Sequence, residues 1–546
     1  MALNILAVTS EAFPLAKTGG LGDAVSGLAQ AINSSGASAT LLLPAYRGTL
    51  SNLTHVTQVG VLLDLPGGPA AVLKGYCPVL DLPVLLLQND ALYDRDGIYV
   101  SSDGKEYADN AVRFAALSHA ALRIAQGRLA VARPDIIHAH DWHAALVPLL
   151  IRQARISNVK TVQTLHNIAF QGVFPMDQAS SLGIEKQFCS GDGIEFWGQL
   201  SFLKAGIRFA DVVTVVSRNY AREILTPKFG CGLEGVLAAR GGDLISIPNG
   251  IDTSTWDPQH DPHLNQHQFS ARNLQQKTLC KQDLQQTFGL EQDAKTTVMA
   301  MGSRLTTQKM ADLAVQAIPE ALDQCASLQV CVMGQGDKNI EISLQDMARR
   351  YPGRCGVRIG FDEPCAHLLH AGADILLHGS RFEPFGLTPL YSMRYGTIPI
   401  GSKVGGMVDT ICDPGANSSV SAMRQASGVL FEGESADAMV KAIVRTMKLR
   451  QHPEVWQAMQ KNGMTADLSW AKTAPAYLRL YRSLMPETGM TEVRRPRTFS
   501  QAVRLPARAA TPPVMAGQIN MSAKKAHKAL RQQAGRKIKS LLPHGA

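Results

Sequence analysis

The sequence predicts an α/β protein made of two doubly wound units, and three observations carry that reading. At 546 residues the chain is too long for one domain and suits two large ones. Short apolar runs alternate with helical patterns from residue 1 to about 255, and the alternation restarts after a turn-rich stretch. The first apolar run, 3–8, leads into a glycine loop, Lys17-Thr18-Gly19-Gly20-Leu21-Gly22-Asp23, and then into a helical pattern over 24–32. A strand, a glycine loop and a helix start together form an anion site, because glycine lets backbone N–H groups approach a ligand and the helix dipole favours negative charge. Taken alone, the same loop is equally well a tight turn.

In the first half, strands are predicted at 39–43, 84–88, 135–138, 160–165 and 212–216, with helices at 110–126 and 144–157 between them. Apolar runs of this kind, separated by helices, imply a parallel sheet covered on both faces. Ile245-Ser246-Ile247-Pro248-Asn249-Gly250 closes that half, and 252–266, rich in Pro, Asp, His and Gln, reads as a linker. In the second half, strands are predicted at 297–301, 329–333, 358–359, 375–377 and 398–400, and the unit ends near residue 468. Ser469-Trp470 then begins a helix over 471–484. The expected domains are thus 1–255 and 256–468, followed by a tail at 487–546. Two such units facing each other leave a cleft at the carboxyl ends of their strands.

Composition narrows the class. Hydrophobic residues make up 45% and charged residues 18%, which fits a soluble globular protein with real cores. No apolar run is long enough to span a bilayer, and no basic segment precedes the first apolar run, so neither a membrane anchor nor a secretory leader is expected. The nine cysteines are odd in number, scattered and free of C-x-x-C, which points to a reducing cytoplasm rather than to disulfides or zinc. The net charge of +9 is uneven. Residues 487–546 carry 12 Lys and Arg against 2 acidic residues, so the body is close to neutral and gives no support for nucleic-acid binding. Within that tail, 494–513 has the composition of a disordered stretch, and 522–542 has the pattern of a basic amphipathic helix suited to an acidic partner.

Several short motifs carry chemistry. Arg304 and Lys309, in Ser303-Arg304-Leu305-Thr306-Thr307-Gln308-Lys309, lie in a strand-to-helix loop where cations can reach a diphosphate; a solvated helix start is the plainer alternative. Glu383, in Ser380-Arg381-Phe382-Glu383-Pro384-Phe385-Gly386-Leu387-Thr388, follows a buried strand and so sits at its carboxyl end, while Gly386-Leu387-Thr388 opens a helix whose amides can hold phosphate. His138-Ala139-His140-Asp141-Trp142-His143 has the composition of a metal site but lacks a later Cys or His partner at useful spacing. Asp94-Arg95-Asp96 imitates a metal-binding D-x-D, yet it lies in a loop away from the phosphate cations.

These motifs, in this order over about residues 1–485, resemble those of bacterial glycogen synthases and plant starch synthases, the ADP-glucose-dependent glucosyltransferases. The resemblance implies a GT-B arrangement, with the donor bound mainly by the second domain, the acceptor mainly by the first, and the helix at 469–485 returning to the first. It makes Lys17, Gly19, Gly20 and Asp23 donor-loop residues, with Arg304, Lys309, Gly386, Leu387 and Thr388 around the diphosphate. Phe361 flanks adenine where the family often has Tyr, and Asn249 hydrogen-bonds the sugar. Glu383, His166 and Asp141 position the transferred glucose, with Arg304 and Lys309 counted among the catalytic groups. The sequence departs from the family at Met310, usually Gly, and at Phe385, often Cys; Tyr391 stands where a neighbouring family has a second Glu. The implied reaction is retaining transfer of glucose from ADP-glucose to the non-reducing 4-OH of an α-1,4-glucan, without a metal or other cofactor. Two rivals stay open: a sister glucosyltransferase with an acceptor such as glucose 1-phosphate, and a non-catalytic glucan-binding protein on the same fold.

Overall fold

A computed structural model of the chain describes residues 3–102, 104–415, 423–485 and 503–504. It contains two main sheets. The strands of the first are β1 (Asn4–Val8), β2 (Ser38–Pro44), β3 (Thr54–Leu62), β4 (Ala70–Cys77), β5 (Leu82–Gln88), β6 (Ile136–His140) and β7 (Lys160–Leu165), joined later in the chain by β11 (Val212–Val215) and β12 (Leu244–Ser246). Between them, β8 (Val173–Pro175), β9 (Glu195–Phe196) and β10 (Gln199–Ser201) form a small separate sheet. The first sheet runs β12-β11-β7-β6-β1-β2-β5-β4-β3 and is parallel as far as β5; β4 and β3 then turn antiparallel. The second sheet holds β13 (Thr297–Gly302), β14 (Leu328–Gly334), β15 (Cys355–Ile359), β16 (Ile375–His378), β17 (Ile398–Ser402) and β18 (Val429–Phe431), in the order β15-β14-β13-β16-β17-β18, all parallel. This is the two-domain GT-B architecture.

Both faces of the parallel part of each sheet are apolar, as parallel strands require. In β1, Ile5 and Ala7 pack with the helices Gly20–Ser34 and Trp470–Leu484, while Leu6 and Val8 pack with Asn110–Ala125 and Leu146–Gln153 on the other face. In β13, Met299 and Met301 face Ala311–Gln324 and Ala436–Arg450, and Val298 and Ala300 face Gln275–Thr287.

The expected strands are present, with shifts of a few residues at their ends. The differences are instructive. The helix expected over 144–157 is two helices, Asp141–Ala144 and Leu146–Gln153. Pro148 has no N–H to donate to Ala144, so one backbone hydrogen bond is missing where the two helices meet. The β3–β4 hairpin was not expected: β3 is an edge strand, exposed along most of its length, and has no apolar run to reveal it. The stretch 252–266 is not a free tether. Trp256 is buried, and Asp261 is fully enclosed, accepting from the Tyr395 hydroxyl at 2.5 Å and lying 2.7 Å from His367 Nδ1.

The helix Trp470–Leu484 seats on the first domain. Trp470 lies so close to Gly27 that a Cβ there would meet the indole at 2.2 Å, and Tyr481 reaches His138 Nδ1 at 2.8 Å. Of residues 487–546, only 503–504 are described; they pair antiparallel with β12 as β19 (Val503–Arg504). The amphipathic helix expected at 522–542 lies outside the described residues. Among the described residues, no helix is long and apolar enough to cross a membrane.

Candidate active site

The second domain supplies a buried carboxylate with two cationic or polar neighbours. β16 ends at His378, and the chain turns through Gly379 and Ser380 to Glu383, which is buried. Burial alone would raise the Glu383 carboxyl. The Lys309 ammonium, in direct ion pair with it, and His378 Nε2 at 3.1 Å outweigh that, so Glu383 is held well below the usual carboxylate range. His378 itself is pushed down by burial and by Lys309. Arg381 ties this loop to the one carrying Lys309: its guanidinium binds Asp312 at 2.8 and 2.9 Å and the Thr307 carbonyl. Arg304 is exposed and, among the described residues, meets only the Gln308 side chain, at 3.1 Å. Met310, where the resembled family usually has Gly, adopts φ +51°, a left-handed conformation that favours glycine, and is held there by burial against Gly379 and Ser402. Gly386, at φ +87°, leads into the helix Leu387–Arg394, whose first-turn amides have no intrahelical acceptor.

The first domain supplies a group of neutral imidazoles. Asp141, at φ +53° just after β6, accepts from the backbone amides of His166 at 2.7 Å and Asn167 at 3.1 Å. It therefore fixes the loop after β7. Burial pushes its own carboxyl up to about 7, and those two amides only partly oppose the rise. Burial brings His166 down to about 3, so it is an uncharged donor–acceptor; its Nε2 lies 3.0 Å from His140 Nδ1. His138 is bonded to Tyr481 and Thr164, and His143 stacks on Tyr99, so the histidine-rich motif is spent on hydrogen bonds and ring contacts. Asn249 is buried, and its side-chain oxygen has no partner among the described residues, as a group awaiting a ligand would.

The glycine loop differs from the expectation of an open anion cradle. Glu11, just past β1 and 3% exposed, accepts from the amides of Thr18 at 2.7 Å and Gly19 at 3.1 Å, and from the Thr18 hydroxyl at 2.8 Å. The Tyr99 hydroxyl donates to the same carboxylate at 2.6 Å. The amides nearest the strand are thus occupied by the chain's own anion. Lys17 is paired with Asp23 at 2.9 Å. Space beside Gly19 is open, while Gly20 touches Leu387 of the second domain, where a Cβ would come within 3.0 Å of it. On the hinge side of this loop a cavity of about 380 Å³ is lined by Lys17, Asp23, Asp252, Trp256, Glu363 and Tyr391, among others. Phe361 presents its ring to solvent and is 67% exposed.

The structure therefore brings Lys309 and Glu383 together, and separately Asp141 and His166. Asp94 and Asp96 are engaged by Arg47, and among the described residues no group of three or more His, Cys, Asp or Glu side chains could hold a metal ion. Sequence reasoning missed Glu11, Tyr99, His140 and His378. Glu11, His140 and His378 share one signal: each lies at the carboxyl end of a predicted parallel strand, where α/β clefts gather their functional groups.

Residues 4–239 match the starch synthase catalytic domain family, and residues 284–463 match the glycosyl transferases group 1 family. The chain is 54% identical to a glycogen synthase of Bordetella petrii over 88% of its own length and 92% of that protein. It is 50% identical to a glycogen synthase of Ralstonia nicotianae, covering 89% of each. The catalytic domain of starch synthase IV from Arabidopsis thaliana, solved with ADP and acarbose, superposes with a TM-score of 0.81 at 28% identity, covering 89% of this chain and 99% of that one.

Proposed function

Because the chain belongs to the glycogen synthase family, a glucosyltransferase family, we propose that it takes its glucosyl group from ADP-glucose and adds it, with retention, to the non-reducing 4-OH of an α-1,4-glucan. Family membership favours the glucan-extending enzyme over the two rivals that the sequence leaves open. The observation that carries the mechanism is the buried Glu383 carboxylate, kept ionised by Lys309 at the carboxyl end of β16.

Glu383 and the Asn249 amide hold the donor glucose through its hydroxyls. His166, being neutral, offers a hydrogen bond without placing a competing cation beside the glycosidic oxygen. As the C1–O bond lengthens, negative charge gathers on the departing diphosphate. Arg304, Lys309 and the first-turn amides after Gly386 stand where that charge develops, so they stabilise the transition state more than the ground state. Two cations and a helix start fill the role of a divalent ion, and no metal is required. The acceptor 4-OH approaches on the face the diphosphate leaves and passes its proton to a phosphate oxygen, which gives retention without a covalent enzyme intermediate. ADP as the leaving group draws further support from the ADP-bound starch synthase IV, and Phe361 offers a ring to stack on adenine. The all-thiol cysteines fit a cytoplasmic enzyme.

The test is kcat/KM for ADP-glucose and UDP-glucose with glycogen as acceptor, with and without EDTA. A clear preference for ADP-glucose that survives EDTA is expected. Preference for UDP-glucose overturns the donor, and loss of activity in EDTA overturns the metal-free mechanism.

A further inference from the structure

A short helix of the first domain, Arg218–Glu223, touches both halves of the candidate site. Toward its own domain, the Tyr220 hydroxyl accepts from the Ile168 amide at 3.0 Å, in the loop that carries His166. Toward the second domain, both Glu223 carboxylate oxygens accept from the Gly405 amide, at 2.9 and 3.1 Å. Asn219 reinforces that contact. Its backbone amide donates to Asp409 at 2.9 Å, and its side-chain amide donates to Glu223 at 2.8 Å and to the Gly405 carbonyl at 3.3 Å.

What Glu223 grips is the turn on which Glu383 rests. The Gly406 amide donates to the Glu383 carbonyl at 3.1 Å. Gly405 has φ +49°, and a Cβ there would lie 1.6 Å from the same carbonyl oxygen; a Cβ on Gly406 would lie 2.3 Å from the Phe385 carbonyl. Only two glycines allow the turn to lie flat against the Glu383 backbone. Movement of the 405–406 turn therefore displaces Glu383 directly.

We infer that Glu223 is a positioning residue for glucosyl transfer: by holding the Gly405–Gly406 turn while Tyr220 holds the His166 loop, the helix Arg218–Glu223 sets the register of Glu383 against His166 when the domains close. Glu223 touches none of the groups assigned to substrate and acts only through that turn. The inference rests on the reading of Glu383 given above.

The test is a double-mutant cycle in the full-length protein, using Glu223→Ala, Glu383→Ala and both together, with radiolabelled ADP-glucose and glycogen; Glu223→Gln is the conservative variant. For Glu223→Ala, kcat is expected to fall roughly tenfold to a hundredfold, the loss that follows removal of a charged hydrogen-bond acceptor. Affinity for ADP, bound mainly by the second domain, and the melting temperature should stay near wild type. Glu223→Gln keeps an acceptor oxygen and should recover most of the turnover. Adding Glu223→Ala to Glu383→Ala should cost little more, because the first acts through the second. A Glu223→Ala kcat within twofold of wild type overturns the inference, as does a loss explained by melting or by ADP affinity, or full multiplication of the two defects. If Glu383→Ala keeps near-normal turnover, the reading of Glu383 fails and the inference falls with it. If Glu383→Ala is crippled and Glu223→Ala is not, only the inference falls.

Discussion

The glycine loop of the first domain and the Arg304–Lys309 loop of the second are both strand–loop–helix connections with a cation, yet they meet charge in opposite ways. In the first, the chain supplies the anion: Glu11 takes the Thr18 and Gly19 amides, and Asp23 takes Lys17. In the second, Lys309 is matched to Glu383, but Arg304 stays exposed, with only a glutamine beside it among the described residues. A loop filled by its own carboxylate is a rigid wall, whereas a loop with an unneutralised guanidinium is a receptor. Both loops join a parallel strand to a helix and carry a cation; the first also has Glu11, a carboxylate several positions upstream, to occupy its amides.

Five substitutions break or sharpen that contrast. The largest effect is expected from Glu383→Ala. It should bind ADP and fold normally yet lose a hundredfold or more in kcat, about 3 kcal/mol of transition-state stabilisation. Steady-state kinetics beside calorimetric ADP titration would show it, and near-normal turnover would remove Glu383 from the mechanism. Next come the two loop cations. Arg304→Ala is expected to raise the donor KM by roughly tenfold or more, since a charged hydrogen bond to phosphate is lost and nothing in the protein compensates. Lys17→Ala should cost less, because Lys17 already spends its charge on Asp23. The reverse order would mean that the first loop, too, is a receptor.

Glu11→Gln probes the wall itself. Weakening the anion that holds two backbone amides should lower stability by about 1–3 kcal/mol, read as a drop of a few degrees in the first thermal transition, and should change kcat less than Glu383→Ala does. Equal losses in kcat for the two would place Glu11 in the chemistry.

Asp141→Asn gives the smallest effect, visible in pH dependence. The folded carboxyl titrates at about 7, against about 3.9 in an unfolded chain. Between those values the native state holds a proton that the unfolded state has released, so the stabilisation is full below about pH 4 and is lost as pH rises through 7. Asn tolerates the left-handed backbone at 141 and still accepts from the His166 and Asn167 amides, but it cannot titrate. The melting temperature of the variant should therefore gain on wild type between pH 5 and 7; a constant difference would show that Asp141 is already ionised at pH 5.

The sequence made the parallel strands legible because they are apolar on both faces, and their ends located Glu383, Asp141 and His166. It hid what depends on distance along the chain. Asp261 meets His367 and Tyr395 across more than a hundred residues, so a stretch that looked like a tether is a packed hinge. Met310 looked like a broken glycine position, and only its burial against Gly379 and Ser402 explains how a methionine keeps a left-handed φ. Glu11 lay in plain view beside the glycine loop, but nothing in its spacing says that it fills the loop.

The seat of Trp470–Leu484 on the first domain has a consequence for how the chain is made. The last strand of that domain to precede the second domain, β12, leaves the ribosome roughly 220 residues before Trp470 does, about 10–45 s earlier at ordinary elongation rates. Throughout that interval the groove over Gly27, and the His138 ring that Tyr481 will cap, stand open with their apolar lining exposed. The first domain is thus synthesised first and finished last. Limited proteolysis of nascent chains arrested at increasing length should show its protection arriving only once Leu484 has emerged; full protection at residue 260 would mean that the domain closes without its final helix.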